Sequence, residues 1–177
     1  MALTDREFWA VIHGLVLGTV FLLAFPAGLV GLWSLKSRYL TTAGVQERMP
    51  RLLIGGWIMA IVAWLTVLTG TWIVYPWYRA TPPEGLTDLT SYPRSLLLSS
   101  PNTELWHKFG MEWKEHVAWI SPMLATAVAF VILYYGVQLV NRPEMRRPLL
   151  ILFTLAFGAA GIAGLFGAFI TKAAPIY

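Results

Sequence analysis

Four uncharged, strongly apolar stretches, Phe8–Leu35, Leu52–Tyr78, Val117–Val140 and Pro148–Thr171, take up more than half of this 177-residue chain. Each exceeds the roughly 20 residues that a helix rising about 1.5 Å per residue needs to cross about 30 Å of hydrocarbon. The expected fold class is therefore an all-α membrane protein, an antiparallel four-helix transmembrane bundle forming one domain. Helices are expected over about 5–35, 51–78, 103–140 and 148–172, with an outer loop over about 79–102. Composition agrees: 57% of residues are hydrophobic, 12% are charged, and the mean hydropathy is +0.62.

The net charge of +4 does not indicate nucleic-acid binding once the charges are sorted by segment. The connections between the first and second and between the third and fourth stretches carry Lys36, Arg38, Arg48, Arg51, Arg142, Arg146 and Arg147 against only Glu47 and Glu144. Everything else is close to neutral. An excess of Lys and Arg marks the cytoplasmic face. Both termini and the central loop are thus expected on the periplasmic side of a bacterial inner membrane. The first stretch is too long for a secretion signal and lacks a basic leader, so it is expected to be a retained helix.

Local signals refine the helices. Thr4 and Glu7 have capping-box spacing ahead of the first apolar run, and Pro26 and Pro122 are expected to kink their helices. Gly158, Gly161, Gly164 and Gly167 predict a close helix–helix contact along the fourth helix, and replacing Gly161 or Gly164 by Leu is expected to disrupt it. Gly14-x-x-x-Gly18 is the same device in the first.

The chain has no cysteine and only three histidines. Disulfides, thiolate-held clusters and covalent c-type haem are thereby excluded. His13 and His116 are expected on the first and third helices at matched depth near the outer face. Two imidazoles on different helices suit axial ligation of one haem b, with the ring between the helices. Gly14 and Gly18 would leave room for a flat macrocycle. Arg79, Arg94, Lys108 and Lys114 lie where its propionates would emerge. Trp9, Trp72, Trp77, Trp106, Trp113 and Trp119 could wall the ring or form an interfacial belt. His107 looks interfacial, and Met111 and Met123 are alternative axial ligands. A metal site from His107, Glu112 and His116 is conceivable but lacks a close histidine pair. Apart from His13 the spans carry no deep ionisable residue, which argues against a proton-relay pump or ion transporter. There is no phosphate-binding loop, dinucleotide fingerprint or nucleophile elbow.

With histidines on two of four helices at one face, the chain resembles the small membrane cytochrome b subunits of respiratory or photosynthetic electron-transfer complexes. Those subunits often hold two haems on four histidines, whereas this chain can supply one bis-histidine haem. The resemblance implies a subunit that passes electrons between a quinone and a periplasmic redox protein or partner enzyme, with other membrane subunits as neighbours. A quinone could lie among Trp72, Tyr75, Trp77 and Trp113. Two other readings compete: a cofactor-free scaffold subunit, and a pigment-binding subunit in which one histidine ligates a chlorophyll-type magnesium.

Overall fold

The computed structural model describes residues 3–36 and 40–176. Among them every regular element is helical. Four helices, α1 (Asp5–Ser34), α2 (Thr42–Tyr78), α4 (Trp106–Asn141) and α5 (Pro143–Ala173), are long and apolar enough to cross a membrane. A short helix, α3 (Pro93–Leu98), lies in the loop between α2 and α4.

The helix starts follow from local chemistry. Thr4 and Glu7 form the full capping box, each side chain taking the other residue's backbone N–H. Thr41 accepts from the N–H of Gly44, which starts α2 at Thr42, nine residues ahead of the expected Arg51. Pro50 does not stop that helix. It is exposed, and the carbonyl its missing N–H leaves unpaired can be reached by water. Likewise α5 begins at Pro143, where a proline at the first helical position costs no hydrogen bond, and runs on through exposed Pro148. In the loop, Asp88 takes the N–H and hydroxyl of Thr90, and these bonds hold its carboxyl below the usual range.

The long helices pack in a closed cycle: α1 on α2, α2 on α4, α4 on α5, and α5 back on α1. The core on this cycle includes Phe21, Leu32, Met59, Val128, Ile132 and Phe153. Phe25 stacks on Phe157 with ring centroids 3.9 Å apart, and Phe153 flanks them. Trp64 donates its indole N–H to the Thr126 hydroxyl at 3.0 Å, joining α2 to α4.

The close backbone approaches fall on other glycines than the sequence suggested. A Cβ on Gly28 would lie 2.5 Å from Phe153 Cζ, and one on Gly31 would lie 2.9 Å from Leu52 Cδ1. By contrast Gly158 and Gly164 border open space, Gly161 meets only Phe157 of its own helix, and Gly167 meets the Lys114 ammonium. The physical reason is rotational. A step of three residues on a 3.6-residue helix turns the position by roughly 60°, so four glycines at that spacing fan across about half the helix and cannot all face one neighbour.

Four segments depart from α geometry by widening into π-helix: Val11–Val16, Gly70–Val74, Trp106–Met111 and Trp113–Val117. They sit near the start of α1, the end of α2 and the start of α4. Widened turns of this kind recur at functional sites, because they open the helix and re-aim its side chains.

Candidate functional site

The widened segments surround a cavity of about 730 Å³, within the roughly 300–1,000 Å³ typical of small-molecule and cofactor pockets. It is bounded by the first half of α1, the end of α2, the start of α4 and the end of α5. His13, Gly14, Gly18, Tyr75, Trp77, Met111, Lys114, Glu115, His116, Trp119 and Gly164 all line it.

His13 is held from two sides. Its ring rests on the α2 backbone at Gly70, where a Cβ would come within 2.8 Å of Cε1. Its Nδ1 lies 3.1 Å from the Thr69 hydroxyl. That hydroxyl already donates to the Leu65 carbonyl at 2.7 Å, so towards His13 it can only accept. The proton therefore sits on Nδ1, and the lone pair on Nε2 is left for a ligand. His116 lies at the cavity margin with its side chain 70% exposed. Its Nδ1 donates to the Glu112 carbonyl at 3.1 Å, and the Glu112 carboxylate is 3.3 Å away. A carbonyl can only accept, so His116 takes the same tautomer. Both imidazoles thus have the arrangement of metal-ligating histidines, in which one ring N–H is fixed by an oxygen and the other nitrogen is bare.

Gly14 and Gly18 on α1, and Gly164 on α5, have nothing within 4 Å of where a Cβ would be. These positions leave two flat walls facing the same space. Ser121 is fully buried on that boundary, and its hydroxyl has no partner among the described residues. Lys114 reaches into the cavity from α4, with Nζ 3.4 Å from the Ala163 carbonyl. Arg6 lines the mouth while its guanidinium donates to the Ser91 carbonyl of the loop at 3.3 Å.

Other expected residues lie elsewhere. Trp113 is not on the cavity: its indole donates to the Ala159 carbonyl at 3.1 Å and its ring packs near Phe166. Arg79 stacks over the Tyr75 ring, 5.4 Å from its centroid, rather than lining the cavity. Lys108 pairs with Glu104 at 2.6 Å. Trp72 is 63% exposed and meets Trp119 edge-on. His107 is engaged by the Tyr78 hydroxyl at 2.7 Å. Met111 lines the cavity, whereas Met123 is exposed. Among the described residues no three or more His, Asp or Glu side chains gather as a metal-ion site.

Sequence reasoning missed Thr69, Gly70 and Ser121, whereas Lys114, expected where propionates would emerge, does line the cavity. The available signal was the run Thr69-Gly70-Thr71 inside an otherwise bulky apolar stretch. Comparison with known protein families, curated proteins and solved structures finds no match for this chain.

Proposed function

We propose that this protein is an antiparallel four-helix membrane subunit that holds one haem b between His13 and His116 and relays single electrons. The observation that carries the reading is the pair of cavity histidines whose Nδ1–H groups are both committed to oxygen acceptors. Two imidazoles are too few to hold a bare ion, but they suffice for a macrocycle that brings its own equatorial nitrogens. When bound, haem supplies a one-electron carrier. The chain's own part is to present two Nε2 lone pairs, to leave flat walls at Gly14, Gly18 and Gly164, and to offer Lys114 and Arg6 to the carboxylates. By accepting hydrogen bonds from the two ring N–H groups, Thr69 and Glu112 would make both Nε2 atoms stronger donors to a haem iron. Electrons would come from or go to a quinone, a periplasmic redox protein or neighbouring membrane subunits.

A titration of the detergent-solubilised full chain with hemin tests this reading. The expected result is saturation at one hemin per chain with the spectrum of six-coordinate, low-spin iron. Failure to saturate, or a five-coordinate spectrum, contradicts it. Thr69→Val removes the oxygen that orients His13 and is expected to weaken hemin binding by roughly 10- to 100-fold.

In the same reading the basic connections face the bacterial cytoplasm, and both termini with the α2–α4 loop face the periplasm. Because the chain has no cysteine, single reporters are clean. In intact cells an impermeant maleimide is expected to label Thr87→Cys and to spare Ala43→Cys. The reverse pattern would invert the topology.

A further inference from the structure

A second cavity, of about 230 Å³, lies away from the histidines, where the end of α1 meets the start of α5. Its lining includes Leu32, Trp33 and Lys36 from one side and Arg146, Arg147 and Leu150 from the other. Arg146 lines it, and the Nη1 of that guanidinium is buried and has no hydrogen-bond acceptor among the described residues. The described ion pairs involve neither Arg146 nor Arg147.

A buried guanidinium N–H without an acceptor is costly, and a charged one more so. The chemistry that removes the cost is an anionic oxygen, which arginine takes with a planar fork of donors. The first turn of α5 adds the positive end of a 31-residue helix beside Arg146. Leu32 is fully buried, Leu150 is half-buried and Trp33 is half exposed, so the wall adjoining the cations is apolar. Cations over an apolar wall fit an anion that is joined to hydrocarbon. A freely soluble anion uses only the first of these features.

We propose that this pocket binds the phosphate group of an anionic membrane phospholipid. Arg146 supplies the guanidinium fork, Arg147 and Lys36 supply the surrounding charge, and the acyl chains run down the surface past Trp33 and Leu150. A basic pocket between candidate membrane helices, on the face richest in Lys and Arg, is where such headgroups bind. The site is separate from the histidine cavity, so it stands or falls without the haem reading.

Native mass spectrometry of the full chain, delipidated in a neutral detergent, tests the proposal. The probes are dioleoyl-phosphatidylglycerol, dioleoyl-phosphatidylcholine and inorganic phosphate. One phosphatidylglycerol is expected to be retained per chain, about tenfold more tightly than phosphatidylcholine with the same acyl chains. Arg146→Gln combined with Arg147→Gln is expected to abolish that preference, while Arg48→Gln, on the same basic face but outside the pocket, leaves it intact. Arg146→Lys keeps the charge and the helix but loses the fork, and it should fall between native protein and the double variant. Unchanged lipid retention in the double variant, or in Arg146→Lys, overturns the role of Arg146. An equal loss in Arg48→Gln overturns a discrete pocket in favour of diffuse surface charge. Displacement of the lipid by millimolar inorganic phosphate overturns the lipid as occupant in favour of the free anion.

Discussion

His13→Ala and His116→Ala are each expected to abolish the reduced α-band that the proposed haem would give. They should do so without unfolding the chain, because His13 is only partly buried and the His116 side chain is 70% exposed. The two losses should differ in kind. His13 sits against the Gly70 backbone with its Nδ1 fixed by Thr69, so its removal empties a shaped socket. Added imidazole should then restore part of the band. His116 is at the exposed margin and is fixed only within its own helix, by Glu112. Its replacement should leave iron held on one side, giving a high-spin spectrum that exogenous imidazole converts to low spin. Met111 also lines the cavity, so Met111→Leu is the control. An unchanged band in that variant assigns the second axial position to His116, and loss of the band assigns it to the thioether instead. Difference spectra of the four proteins, matched for helix content, check all of these outcomes.

Gly28→Leu is expected to destabilise the protein by about 3 kcal/mol, whereas Gly164→Leu should leave it folded and unable to bind haem. At Gly28 even a methyl group would stand 2.5 Å from the ring of Phe153, itself only 1% exposed. That ring cannot retreat, since it packs beside Phe25 in the α1–α5 aromatic stack. At Gly164 no atom lies within 4 Å of a Cβ, and the space beyond is the histidine cavity. A leucine there occupies ligand volume and improves helix propensity. Unfolding in a denaturing detergent, followed by circular dichroism, separates the two effects from haem content. Equal unfolding midpoints for both variants would contradict the assignment of Gly28 to packing and Gly164 to the cavity wall.

This contrast shows where the sequence was legible. The four long helices could be read from hydropathy, because an uninterrupted apolar run has few other solutions. The capping box at Thr4 and Glu7 could be read because its chemistry is local. The starts of α2 and α5 were misplaced, because prolines at 50 and 148 look like barriers until their exposure is known. The glycines of α5 were given the wrong role for a geometric reason. Their spacing of three distributes them around the helix, and only three-dimensional neighbours tell a packed face from an empty one.

The site divides in the same way. His13, His116, Gly14 and Gly18 could be singled out because histidine is scarce in this chain and the two glycines neighbour His13, and all four line one cavity, whereas the close packing expected of Gly14 and Gly18 from their spacing is not seen. Trp113 and Arg79 were chosen by height along the helix alone, and rotation about the helix axis directs them elsewhere. Thr69 was invisible because its importance lies in a hydrogen bond to a residue 56 positions away. The π-helical turns that bring Lys114 and His116 to the cavity have no sequence signature comparable to a cap or a turn.

The most direct test is a dithionite-reduced minus oxidised absorption spectrum of the native protein, purified in mild detergent without haem-depleting steps. The account predicts a b-type α-band corresponding to one haem per chain. A flat spectrum from folded protein that also fails to take up hemin would contradict it and leave a cofactor-free membrane scaffold as the reading.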